Sequence, residues 1–115
     1  PSGSAVVDPK GKEALTKLAK AIENEKDLNI MVEGHTDTDK IQPGSVYKDN
    51  WDLSVSRATS VVRIIQEGSV IDPLRITASG RGEYMPVDPT DKAKNRRIEV
   101  ILAPDLEQLY ELVRD

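Results

Sequence analysis

The chain has 115 residues, close to the roughly 100–200 residues of one domain, and 16 basic against 20 acidic residues give a formal net charge of −4. This charge argues against a polyanion binder, and an aromatic content of 3% leaves few side chains for base stacking, so no nucleic-acid partner is expected. The absence of cysteine excludes disulfides, thiolate metal sites and cysteine nucleophiles, and one histidine, His35, excludes mechanisms that need two. No apolar run approaches the ~18 residues of a membrane span, so direct membrane insertion of this segment is not expected.

The first periodic segment predicts a helix. Asp8 can accept a backbone N–H as the N-cap, and Pro9 follows at a position that needs no amide partner. Apolar residues then recur at helical spacing on one face: Leu15, Leu18, Ala19 and Ile22. The chain begins at Pro1 rather than Met, which we interpret as processing or as excision from a longer protein.

A strand is predicted over residues 29–34, followed by a long polar loop. Ile30 and Val32 face one way in that strand, and Met31 is expected to be buried as well, beneath covering helices. The loop covers residues 35–50 and exceeds the ~12–15 residues beyond which a structureless connection is usually functional or mobile.

The second half of the chain predicts one helix and two strands. Asp52 or Ser54 is expected to cap the helix and Gly68 to end it. The strands are predicted over residues 74–79 and 97–102. The expected buried stripe of the helix contains Ala58, Val61, Val62 and Ile65. The expected buried face of the last strand contains Ile98, Val100 and Leu102.

These elements predict an α/β (α+β) two-layer sandwich with a mixed sheet. The last two strands are close in sequence and are expected to pair antiparallel. Three strands are few for a sheet that carries two helices, so a further strand is predicted ahead of Ser2, truncated in this chain. The domain is expected to cover residues 1–104, and residues 105–115 are predicted to form a C-terminal helical extension.

Two opposite charges fall at the predicted tip of the first strand and the start of the following helix. Strand ends and helix N-termini meet at one edge of an α/β layer, where ligands usually dock. Arg57 can grip a carboxylate with two parallel hydrogen bonds, and Asp37 can accept from an ammonium. The pair would suit a zwitterionic ligand, and a plain structural salt bridge is the simpler alternative.

Three other motifs are weaker. Residues 35–39 offer oxygen ligands at alternate positions, but they lack EF-hand spacing and a second histidine, so no metal site and no cofactor are expected. The Gly80-Arg81-Gly82 motif favours a turn with positive φ over a phosphate cradle. Of Arg96 and Arg97, one is expected to point toward the strand-tip site and the other away from it.

Four ordered motifs resemble the OmpA-like C-terminal domain family, which includes the Pal lipoproteins and the periplasmic domains of MotB stator proteins. In this chain they read Gly34-His35-Thr36-Asp37, Asn50-x-x-Leu53-Ser54-x-x-Arg57-Ala58, Gly80-x-Gly82-Glu83 with Pro86, and Asn95-Arg96-Arg97-Ile98-Glu99. The resemblance covers residues 2–104 and implies a βαβαβ sandwich.

The resemblance also implies a function, which is noncovalent binding of peptidoglycan through the diaminopimelate of the stem peptide. Asp37 would take the diaminopimelate ammonium and Arg57 its carboxylate. The implied ligand-binding residues are Asp37, Arg57, Asn50, Thr36, Leu53 and Arg97. Such domains are not enzymes, and they tether an outer-membrane or envelope protein of a Gram-negative cell to the wall from the periplasm.

Three alternatives remain open. The long loop and the Asn50-Trp51-Asp52-Leu53-Ser54 segment resemble the MotB-type variant, which implies a dimeric, motor-anchoring stator domain. A hydrolase of wall peptides is the second alternative, and a pure protein–protein adaptor is the third. The extra loop residues, 40–48, are expected either to lean over the pocket or to contact a partner. We expect alanine at Asp37 or Arg57 to abolish wall binding while stability stays close to that of the parent.

Overall fold

Residues 7–104 are described by a computed structural model that contains three strands, three α-helices and one 3-10 turn. None of these helices is both long enough and apolar enough to cross a bilayer. The predicted strand ahead of Ser2 and the predicted helix over residues 105–115 lie outside the described residues. In chain order the elements are α1 (Pro9–Ile22), β1 (Leu28–Gly34), α2 (Asn50–Glu67), the 3-10 turn (Pro73–Arg75), β2 (Ile76–Gly80), α3 (Lys92–Asn95) and β3 (Ile98–Pro104).

The sheet has the order β2-β1-β3, with β1 parallel to β2 and antiparallel to β3. The predicted mixed α+β class is confirmed, but the expected pairing of the last two strands with each other is wrong. The connection between them crosses the tip of β1, where Arg81 N donates to Gly34 O (3.0 Å) and His35 N donates to Arg97 O (2.9 Å). This crossing delivers β3 to the opposite edge of β1.

The helix termini follow capping chemistry. Asp8 caps α1 as predicted, with its carboxylate accepting from Gly11 N at 2.7 Å. Helix α2 begins earlier than predicted because Asp49 is its N-cap and accepts from Asp52 N at 2.9 Å. The apolar stripe that predicts this helix starts at Ala58, well after Asn50, so it does not locate the first residues of the helix. Gly68 ends α2, as predicted.

The core lies between the helices and one face of the sheet. Its buried residues are Ala19, Ile30, Val32, Ala58, Val61, Ile65 and Ile71. Met31 points to the other face and is 40% exposed, so the expectation that it is buried is wrong, and Leu102 is also exposed. Within residues 7–104 the helices cover a single face, and on the opposite face Met31 and Ile101 are exposed whereas Glu33 is buried.

Helix α2 passes very close to the tip of β1. A Cβ atom added at Gly34 would clash with the backbone carbonyl oxygen of Ser54, and one added at Gly80 would clash with the Ser54 hydroxyl and with Val55 N. Glycine at these two positions therefore allows the first turns of α2 to lie directly on the strand ends.

We expect Gly34→Ala to lower the free energy of unfolding by about 3 kcal/mol or more, because the backbone of α2 must move to make room. Urea denaturation followed by circular dichroism measures this change. Gly44→Ala is the matched control, since a Cβ there meets open space and only its positive φ of 85° is unfavourable. Equal losses in the two variants would contradict the close approach.

Candidate functional site

The loop after β1 folds over the start of α2 and encloses a cavity of about 500 Å³. The lining residues come from the strand tip, the loop, α2 and the segment that precedes β3. They are Thr36, Asp37, Asp39, Lys40, Ile41, Gln42, Ser45, Asn50, Leu53, Arg57 and Arg96. The extra loop residues thus border this pocket, which is one of the two arrangements expected for them.

The pocket brings together most of the predicted site residues but not Arg97. That residue lies outside the lining, where its Nη2 donates to Met85 O (2.9 Å) and its Nε lies 3.4 Å from Glu99 Oε1. Arg96 lines the pocket instead. Successive residues of an extended chain point to opposite sides, so only one of the two arginines can face the pocket. The alternation along β3 could have identified Arg96. Ile98 and Val100 pack toward the helices, and Arg96 precedes them by two and four residues, so it lies on the same side of the chain.

Asp37 is a buried carboxylate with both oxygens engaged. It is 3% exposed, its Oδ2 lies 2.9 Å from Arg96 Nη1, and its Oδ1 accepts from Asp39 N at 2.9 Å. A buried charge needs a partner and hydrogen bonds to offset its lost hydration. Arg96 and the loop backbone supply both.

Arg57 is a buried cation on the same wall. Its Nη1 donates to His35 O at 3.2 Å, which ties α2 to the tip of β1. Burial lowers the pKa of Arg57, while the negative charge of Asp37 acts in the opposite direction and the positive charge of Arg96 adds to the lowering. Because a guanidinium keeps its proton in proteins, the pocket holds a charged donor in a poorly hydrated place.

The neutral members of the site hold the loop and form its apolar surface. Both donor contacts of the Asn50 amide go to backbone carbonyls, those of Asp37 (3.2 Å) and Asp39 (3.1 Å). Thr36 Oγ1 also donates to Asp37 O at 3.0 Å. Leu53 is buried and contributes apolar surface to the cavity. Asn50 thus shapes the loop and offers a ligand mainly its carbonyl oxygen.

At the rim of the pocket, Asp39 pairs with Lys92, whose Nζ lies 2.5 Å from Asp39 Oδ1. The hydrogen bond and charge of Asp39 raise the pKa of Lys92. Buried and exposed charges of both signs therefore surround one cavity. This mixture favours a small ligand that itself carries both charges, because either charge alone would meet a like charge on the wall.

We expect Asp37→Asn to lower the free energy of unfolding by about 2 kcal/mol, because it leaves Arg96 and the buried Arg57 without the carboxylate charge. Urea denaturation at neutral pH measures the loss. Asp39→Asn removes a carboxylate from a half-exposed pair at the same pocket and is the control, with a smaller expected effect. A loss for Asp39→Asn as large as that for Asp37→Asn would count against this account of the pocket.

Comparisons with known proteins agree with this architecture. A model of the OmpA family matches residues 1–99. Motility protein B of Bacillus subtilis (strain 168) is 39% identical over 95 residues, which are 76% of this chain and 36% of that protein. The periplasmic domain of Helicobacter pylori MotB superposes with a TM-score of 0.86 at 23% identity, over 99% of this chain and 74% of that chain. The peptidoglycan-associated lipoprotein from Burkholderia pseudomallei superposes with a TM-score of 0.75 at 21% identity, over 90% and 86%.

The two structural matches show a shared fold and confirm the predicted architecture. The chain spans about a third of the length of the Bacillus subtilis relative, 36%, so it corresponds to one portion of that protein. The family match covers nearly the whole chain, and the expectation drawn from the four motifs is confirmed. The chain belongs to the OmpA family.

Proposed function

We propose that residues 1–104 form a module that binds peptidoglycan noncovalently through the diaminopimelate of the stem peptide and so anchors an envelope protein to the wall. The observation that carries this proposal is the placement of Asp37 and Arg57 on the wall of one cavity, both buried and of opposite charge. A free amino-acid head group, with a carboxylate and an ammonium on one carbon, has the complementary pair of charges.

In the bound state the ligand carboxylate pairs with the Arg57 guanidinium, which can supply two parallel hydrogen bonds. The ligand ammonium donates to Asp37. That carboxylate already accepts from Arg96 and from Asp39 N, but two carboxylate oxygens offer about four lone-pair sites, so acceptor capacity remains. Arg96 balances Asp37 before the ligand arrives and adds to the positive potential that the ligand carboxylate meets.

Leu53 and Ile41 supply the apolar part of the lining, against which the methylene chain of diaminopimelate would pack. The affinity then comes from charge-assisted hydrogen bonds in a place with little water, reduced by the cost of ordering the ligand. Ordering the protein side adds little to this cost, because Asp37 is already buried and hydrogen-bonded before the ligand binds.

The family relationship supports an anchoring role in the cell envelope. Relatives reported above are named as a peptidoglycan-associated lipoprotein and as motility proteins, and one of them is a periplasmic domain. These are structural rather than enzymatic names, which supports binding without catalysis. We place this module in the periplasm, as part of an outer-membrane or other envelope protein.

Both Arg57 and Asp37 are buried and bonded, so we revise the expectation that alanine at either position would leave stability near the parent value. A milder substitution is therefore the better test of the site.

Arg57→Lys keeps the positive charge and loses the planar guanidinium group. It is expected to weaken binding of free diaminopimelate at least about tenfold, since one lost charge-assisted hydrogen bond is worth ~1.5 kcal/mol or more. Isothermal titration calorimetry measures this affinity, and sedimentation with purified sacculi reports wall binding.

Arg63→Lys is the matched control, because Arg63 lies on the exposed side of the same helix. Cadaverine (1,5-diaminopentane) serves as the ligand control, since it keeps both ammonium groups of diaminopimelate, lacks both carboxylates and is expected to bind far more weakly. Full binding by a folded Arg57→Lys protein, or equal affinity for the two ligands, would contradict the site.

A second candidate function is that of a stator periplasmic domain, which anchors a motor and acts as a dimer. The 39% identity to motility protein B favours this form of the anchoring role. Sedimentation equilibrium over a wide concentration range tests it: a stator domain is expected to show reversible dimers, whereas a simple tether stays monomeric. A strictly monomeric protein would remove the dimeric stator from consideration while leaving the wall-binding site standing.

A further inference from the structure

A second group of charged side chains lies at the tip of β1, on the face of the sheet that points away from the helices. Glu33 stands between its register partners Ser79 on β2 and Glu99 on β3. His35 follows Glu33 on the same face of the chain and is 1% exposed. None of these four residues lines the pocket described above.

Three potential metal ligands converge in this group. The Nε2 atom of His35 lies 2.9 Å from Glu33 Oε1 and 3.3 Å from Glu99 Oε2, and all three atoms lie within 4.8 Å of one another. Neither contact has hydrogen-bond geometry, since both ring nitrogens of His35 are without a hydrogen-bond partner. The two oxygens therefore approach the imidazole nitrogen without being joined to it by a directed bond.

The unsatisfied polar atoms of the domain concentrate at the same place. Among residues 7–104, the buried side-chain atoms with no hydrogen-bond partner are the two nitrogens of His35, Ser79 Oγ and Arg97 Nη1. A buried polar group without a partner loses its hydration with no compensating bond, and such groups are rare in folded proteins. Their clustering around three convergent donors indicates a ligand-binding position.

We propose that Glu33, His35 and Glu99 bind a Zn²⁺ ion. One imidazole nitrogen and two carboxylate oxygens are a donor set that suits zinc better than magnesium or calcium, which prefer oxygen ligands alone. The Glu99 carboxylate is 43% exposed, so a water molecule can reach a fourth position. This set uses two strands and differs from the loop pattern of residues 35–39, in which no metal site was expected.

Two arginines contact the carboxylates of Glu33 and Glu99, as expected for carboxylates that bind a metal ion. The second oxygen of Glu33 lies 3.3 Å from Arg81 Nε, and that of Glu99 lies 3.4 Å from Arg97 Nε. Charged contacts to the second oxygen of a carboxylate help to orient it toward a metal ion. Both guanidinium charges oppose a cation, but Arg81 is 53% exposed and can turn toward solvent when the ion binds.

The test is a titration of the untagged chain with zinc chloride, followed by calorimetry and by the ¹⁵N spectrum of the imidazole. Because the chain has one histidine and no cysteine, the imidazole signals report this position alone. We expect one equivalent of zinc to bind and to shift the His35 nitrogen resonances, with no such shift from magnesium. Glu99→Gln is expected to weaken zinc binding at least about tenfold, and this exposed position should tolerate the change.

Glu67→Gln is the matched control, since Glu67 is an exposed carboxylate at the end of α2. Zinc affinity in this variant is expected to equal that of the parent chain. Imidazole resonances that stay fixed at saturating zinc would overturn the proposal, and so would equal weakening by Glu99→Gln and Glu67→Gln.

Discussion

The site depends on one buried carboxylate. Asp37 keeps its negative charge almost out of contact with water because Arg96 pairs with it and the loop backbone donates to it. The same charge opposes the lowering of the Arg57 pKa that burial causes, and Arg57 lies on α2. Without Asp37 the pocket would contain two guanidinium groups and no buried carboxylate, and the loop would lose the side chain that accepts from Asp39 N. The fold and the binding chemistry therefore share this interaction.

The placement of that carboxylate follows from the close contact of α2 with β1. Glycine at the strand tip lets the helix backbone lie directly on the sheet, so that Arg57 reaches the carbonyl of His35 and the first turn of α2 faces the loop. The crossing of the chain over the same strand tip then brings Arg96 to the pocket. Three segments far apart in sequence thus converge because small residues permit short distances between backbones.

Much of this could be predicted from the sequence, since apolar periodicity and caps locate α1, β1 and the body of α2. The start of α2 could not, because its apolar stripe begins at Ala58, well after its N-cap, Asp49. The burial of Met31 cannot be predicted without knowing which sheet face the helices cover. The pairing of β3 with β1 depends on how the preceding connection crosses the strand tip, which no local pattern encodes. The prediction that Arg97 is the arginine at the site is wrong, because Arg96 lines the pocket. The alternation of side-chain directions along β3 distinguishes the two.

The hydrogen bond from Arg57 to residue 35 has a consequence for how the pocket tolerates sequence change. Its acceptor is a main-chain carbonyl, which every amino acid carries. Replacing the imidazole therefore removes no part of this anchor so long as the strand keeps its path. The path of the backbone therefore sets the direction of the Arg57 guanidinium. Side-chain substitutions on the other face of the sheet can accumulate without changing that direction.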